Sequence, residues 1–163
     1  HWNCVQLAAS LLRIADEAAL RAALDRFGPL YRDAMIRRFC WRLGVAPAEQ
    51  DRDIALIEAA EQEMREREIG PDRFFFAHRG GRNASGALAS ALDGRETAGS
   101  SHAYWSDPEP QSTLIDEVEE IWSHIADRDD WQPLERKIAS LRRMGEAHGP
   151  APIARGHISD FSS

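Results

Sequence analysis

Two cysteines in 163 residues, Cys4 and Cys40, are too few and too far apart to staple a small secreted scaffold or to close a zinc knuckle. No apolar run approaches the roughly 20 residues that span a bilayer. Basic residues are not gathered into a footprint, and the formal net charge of -7 argues against a surface built to neutralise nucleic-acid phosphates. No alternating run is long enough to set a strand, and no internal repeat is visible. The pair Gly80-Gly81 lies in neither GxxxxGK[ST] nor GxGxxG, and no strand pattern precedes it, so it reads as turn chemistry. The sequence given opens at His1 without an initiator Met, and no leader is expected. The chain opens inside what reads as a motif, which raises the expectation of a piece of a larger protein, with the cytoplasm as its default compartment.

Catalytic signatures are equally scarce. His1, His78, His102, His124, His148 and His157 fall in no HExxH or other ligand spacing, so no metal site is expected. Ser10, Ser85 and Ser90 lack a GxSxG elbow. Neither cysteine has a local signature pairing it with a histidine, and both read as small buried apolar residues. The carboxylates are many but fall on expected solvent faces. Trp2, Trp41, Trp105, Trp122 and Trp131 read as core anchors rather than as a base-stacking platform. The sequence therefore assigns no catalytic, cofactor-binding or metal residue to any position.

What the chain has is helical periodicity. Hydrophobic residues make up 43% and charged residues 29%, a balance that suits one domain with a core. Val5, Leu7, Ala8, Leu11, Leu12 and Ile14 recur at helical spacing after Asn3, a candidate cap. Asp16 is a second candidate cap, and Leu20, Leu24, Phe27, Tyr31, Met35, Phe39 and Leu43 continue the pattern up to Gly44, a stop residue. Gly28-Pro29 predicts a kink or break. Asp51 or Asp53 opens a third helix through Ile54, Ile57, Ala60 and Met64, with an outer face that includes Glu58, Glu61, Glu63 and Glu66. "DRFFFAH" reads as a helical turn pinned into the core. Ser112 or Thr113 caps a helix bearing Leu114, Ile115, Val118, Ile121, Trp122 and Ile125, and Trp131, Leu134, Ile138, Leu141 and Met144 mark another.

The expected fold is all-α, an irregular helical array with helices near 4–15, 17–43, 53–67, 113–126 and 132–145. Its expected divisions are a helical segment at 1–79, a Gly/Ser-rich linker or mobile loop at 80–111, a helical pair at 112–148 and a frayed or draped tail at 149–163.

"HWNCVQLAASLL" resembles the W-N-x-x-x-L-A-x-x-L segment of the selenoprotein O family. "ALDRFGPLYRDAMIRRFCWRLGV" is similar to that family's helix ending in a K-L-G-L-type signature, here Arg42-Leu43-Gly44-Val45. "DRDIALIEAAEQEM" and "DRFFFAHRGG" resemble its following acidic helix and aromatic block. The resemblance runs from Trp2 to about Gly81. Beyond Asn83 it is looser, and the family's N-P-x-x-x-x-R-N-H segment and Cys-containing tail are not found.

The resemblance implies a parent with a kinase-like fold that transfers AMP from ATP to protein hydroxyls, using ATP and magnesium. In that family the nucleotide and metal residues, among them an Asp in a DFG-like motif, precede the W-N segment. None can be carried over to this chain, which is expected neither to bind ATP nor to transfer AMP by itself. It would be the helical, non-catalytic C-terminal part packed on the kinase-like core of the same parent. The rival expectation is a free-standing helical module for protein–protein interaction; a helical hydrolase with an unrecognised carboxylate site is a third. Residues 4–15 spread apolar side chains over more than one stripe, so a homodimer through this helix is expected when nothing else covers it.

Overall fold

A computed structural model of the chain describes residues 1–152. Among these residues the chain is all-α. Its elements are α1 (Trp2–Leu11), α2 (Glu17–Leu43), α3 (Gln50–Glu66), α4 (Pro71–Ala77), α5 (Gly86–Leu92), α6 (Ile115–Arg128) and α7 (Gln132–His148), with 3-10 turns at Arg79–Gly81 and Ala103–Ser106. The expected tail at 149–163 lies almost wholly outside the described residues.

The helix boundaries follow local chemistry. Asp16 caps α2 by accepting from the Ala19 N–H at 2.9 Å, which satisfies an otherwise orphaned donor and is worth about 1 kcal/mol. Gly44 ends the helix at φ 73°, ψ 43°, a left-handed conformation that costs glycine nothing. Three expectations are corrected. Asn3 lies inside α1, whose cap position is His1. Neither Ser112 nor Thr113 caps α6, which starts after Leu114. Pro29 does not break α2: the helix runs through it for 27 residues. Proline there removes one hydrogen bond. Gly28, Pro29 and Asp25 are all exposed, so water can satisfy the carbonyl that is left free.

The core sits under the second half of α2. Ile36, Cys40 and Leu43 recur at i+4 and i+3 on one stripe and meet Leu56 and Ala60 of α3, Phe74 and Phe75 of α4, and Leu88 of α5. The Phe39 and Phe75 rings pack edge to face at 4.9 Å. The first half of α2 does not enter this core. It carries α1 instead, where Val5, Ala8, Ala9 and Leu12 face Leu20 and Leu24. Nothing in α1 is fully buried. The stretch 80–111, read from sequence as a linker or loop, contains α5 and supplies Leu88, Tyr104 and Trp105 to the interior. No helix among the described residues is long and apolar enough to cross a membrane.

Candidate functional site

The end of α2 positions the most developed constellation in the molecule. Arg79 is 3% exposed, so its charge must be satisfied inside the protein. Its Nη1 donates to the carbonyl oxygens of Trp41 and Arg42, and its Nη2 to that of His148. These are terminal carbonyls of α2 and α7, where the helix dipole places partial negative charge. One guanidinium thus caps two helix C-termini and holds them together. Burial lowers the Arg79 pKa. The Gly44 backbone leaves the space that this side chain fills, since a Cβ there would stand 2.6 Å from Nε.

Around this clamp the aromatics collect. Trp41 and Trp105 each lie 4.9 Å from the His148 ring, and the Arg79 guanidinium stands 4.9 Å from the Trp105 ring. Burial, then the nearby Arg79, Arg42 and Arg38, push the His148 pKa down from 6.5 to about 4, so its ring is neutral at pH 7. Tyr104 is buried and its hydroxyl accepts from the Gln111 N–H at 3.1 Å; burial raises its pKa. Between Arg38, Arg42, Phe75, Tyr104, Trp105 and His148 opens a cleft of about 500 Å³. Arg42 is committed to Asp72 at 2.7 Å.

Two polar pairs sit deeper. Asp53 is 2% exposed and binds Arg95 Nη1 at 2.6 Å and the Ala48 N–H at 3.0 Å. That pair ties the start of α3 to the segment after α5. His78 donates through Nδ1 to the Arg82 carbonyl at 3.0 Å, and its Nε2 lies 3.3 Å from Glu63 Oε1. The same Glu63 oxygen lies 3.2 Å from Arg67 Nε.

The chemistry of these groups is that of binding and bracing. Burial, then Asp53, push the Cys40 thiol up to about 11, far from a reactive thiolate. The Ser10 and Ser90 hydroxyls bond back to carbonyls of their own helices. His102 accepts from the Tyr104 N–H at 3.1 Å as a local cap, while His124 lies against Asp130. His157 falls outside the described residues. Among the described residues no three His, Cys, Asp or Glu side chains gather to hold a metal ion.

Several sequence readings are corrected here. Glu63 belongs to the interior and not to the solvent face of α3, and Asp53 is a buried partner, not a cap. Trp105 is a core anchor and Trp41 is half-buried, but Trp2, Trp122 and Trp131 are 72%, 63% and 50% exposed. Sequence reasoning does not find Arg79, because the carbonyls it meets lie 38, 37 and 69 residues away, at the ends of α2 and α7.

No family model matches the chain, and no solved structure matches it. Three curated relatives share the printed description protein nucleotidyltransferase YdiU. That of Azotobacter vinelandii is 38% identical over 88 residues, 54% of this chain and 18% of that protein. That of Pseudomonas putida is 36% identical over 75 residues, 46% of this chain and 15% of that protein. That of Pseudomonas aeruginosa (strain LESB58) is 34% identical over 93 residues, 57% and 19%. The chain spans under a fifth of the length of each of these relatives. Over about half of its own length it is similar to a segment of the YdiU protein nucleotidyltransferases, the selenoprotein O family that residues 2–81 resemble.

Proposed function

We propose that this chain is a helical, non-catalytic segment of a protein nucleotidyltransferase that moves AMP from ATP to protein hydroxyls, in the cytoplasm. Its work is to buttress the kinase-like core of the same parent and to help shape the surface that meets the protein substrate. ATP and magnesium belong to that core. The observation that carries the reading is the match to YdiU relatives at 34–38% identity.

The physical state of α1 and of the turn after it supports it. Trp2 and Leu7 of α1, and Leu12 and Ile14 beyond its end, are all at least half exposed, and no side chain of α1 is fully buried. Fully burying one such side chain is worth roughly 1.5–3 kcal/mol, so this face favours a covering surface. The parent core is the proposed cover, and a second copy through residues 4–15 takes its place where the core is missing.

A second reading has its own observation. The α6–α7 hairpin lies outside the stretch of resemblance and exposes Leu114, Ile115 and Trp122. A free-standing interaction module would use such a face.

The test is transfer of labelled AMP to a protein acceptor. The full parent is expected to label it, and the chain alone to give no label. In the parent, Leu7→Glu with Ile14→Glu is expected to lower thermal stability while barely changing that of the isolated chain at dilutions that keep it monomeric. Equal effects in both would remove the docking role, and labelling by the chain alone would remove the non-catalytic one.

A further inference from the structure

Helix α2 belongs to two packed units at once. Over its first part Leu20 and Leu24 carry α1, and the His1 ring closes this hairpin on Phe27 at 5.6 Å. Over its last part Ile36, Cys40 and Leu43 enter the core. The span between them, residues 28–35, holds no buried residue. A gap of about 190 Å³ lies between Pro29, Arg32 and Asp33 on one side and Pro47, Ala48 and Gln50 on the other, so the loop into α3 does not brace this part of the helix. The side-chain hydrogen bonds and ion pairs of residues 1–27 among the described residues are local: Ser10 to Leu7, Asp16 to Ala19 and Arg21 to Glu17. None of them reaches the core. The Phe27 ring does stack on Tyr31 at 5.7 Å, but that contact lies one turn along the same helix.

Gly28 and Pro29 open the unbraced span, directly after Phe27. Pro29 has no N–H to offer the Asp25 carbonyl, so the backbone ladder lacks a bond where no tertiary contact replaces it. Gly28 is the more telling residue. Its φ is not left-handed, and a Cβ there would meet nothing within 4 Å. Neither a turn nor a close approach asks for glycine. What glycine supplies is backbone freedom, at a cost in helix propensity. The two poorest helix formers thus stand together at the boundary between the two packed units.

We infer that Gly28-Pro29 is a hinge, about which the hairpin of residues 1–27 swings as a unit against the core that begins at Ile36. A change of φ and ψ at a few residues moves the whole arm, because nothing beside the span resists it. The motion turns the exposed Trp2 and Leu7 of α1 through a range of angles while α1 stays packed on α2 and the core is undisturbed. The inference concerns the mechanics of this chain, and it holds whether or not a nucleotidyltransferase core covers α1.

The experiment is pulsed electron paramagnetic resonance on the whole chain, with spin labels on introduced cysteines. Cys4→Ser removes one native thiol. Cys40 is 1% exposed and its thiol is pushed up to about 11, so it stays unlabelled. Gln6→Cys with Glu58→Cys reads the arm against the core, and Gln6→Cys with Arg26→Cys reads the inside of the hairpin; all four side chains are exposed apart from Cys4, which is half-buried and carries no label. Excess unlabelled chain ensures that each distance is read within one copy.

The distribution between positions 6 and 58 is expected to be broad, and Gly28→Ala with Pro29→Ala to narrow it to about half its width, since alanine restores both the missing bond and the stiffness of the ladder. Circular dichroism checks that this variant folds. The distribution between positions 6 and 26 is expected to be narrow in both proteins. A 6–58 distribution already as narrow in the wild type as in the variant overturns the inference. So does a 6–26 distribution as broad as the 6–58 one, which would show α1 leaving α2 rather than the hairpin moving whole.

Discussion

Arg79 and Gly44 occupy adjoining space so closely that a Cβ on Gly44 would meet the arginine's Nε at 2.6 Å and its Cδ at 2.8 Å. Gly44 also sits at φ 73°, which side chains avoid. Gly44→Ala should therefore destabilise the chain by about 2–4 kcal/mol, part from the backbone and part from displacing Arg79. In an Arg79→Met background, the same substitution should cost only the backbone part, roughly 1–2 kcal/mol. Urea unfolding of the four proteins measures the coupling, and strict additivity would show that the two residues do not constrain each other.

The Asp53–Arg95 pair is buried on both sides, with side-chain exposures of 3% and 1%. Removing one partner strands a charge. Arg95→Met or Asp53→Leu should each cost about 3–5 kcal/mol, and the double substitution less than their sum. Chemical denaturation reads this directly; single variants within about 0.5 kcal/mol of wild type would contradict it.

These pairs explain what the sequence could and could not reveal. Helices are legible because Ile36, Cys40 and Leu43, or Leu56 and Ala60, repeat at the helical period. Asp16 and Gly44 announce themselves by residue type. Glu63 does not: it lies in a row of glutamates on α3, and only the fold brings His78 against it. Asp53 likewise reads as a cap until Arg95, 42 residues away, is placed beside it. Trp122 and Trp131 mislead in the opposite direction, because size favours burial but the described residues leave them 63% and 50% exposed. The Arg79 clamp needs two helix ends, α2 and α7, that meet only in three dimensions.

His148 gives a pH signature. Its folded pKa, about 4, lies below the ordinary 6.5. Between these values the unfolded chain binds a proton that the folded chain refuses, so stability falls as pH drops from 6.5 towards 4 and is fully present above 6.5. The slope from this one group is at most about 1.4 kcal/mol per pH unit, and less where water reaches the ring from the cleft. His148→Phe should flatten the stability profile in that window. An unchanged slope in urea titrations of the variant would show that His148 titrates alike in both states.

Hydrogen exchange should divide the stretch 80–111. Leu88 of α5 and the pair Tyr104-Trp105 are buried, whereas Asp93, Gly94, Glu96, Thr97, Ala98 and Gly99 are exposed. The amides of Gly94, Glu96, Thr97 and Gly99 should exchange fastest, whereas Ala98 donates to the Gly44 carbonyl at 2.8 Å and Arg95 to that of Leu92 at 3.2 Å. Uniform protection across 86–106 would contradict this.

The central claim is that the chain serves a nucleotidyltransferase core carried by the same parent protein. The most direct measurement is the sequence of the full coding region upstream of His1, read from the intact transcript. The account predicts a long kinase-like stretch, joined in frame and containing a DFG-like Asp. A start codon just before His1, or an upstream region with no such Asp, would contradict it.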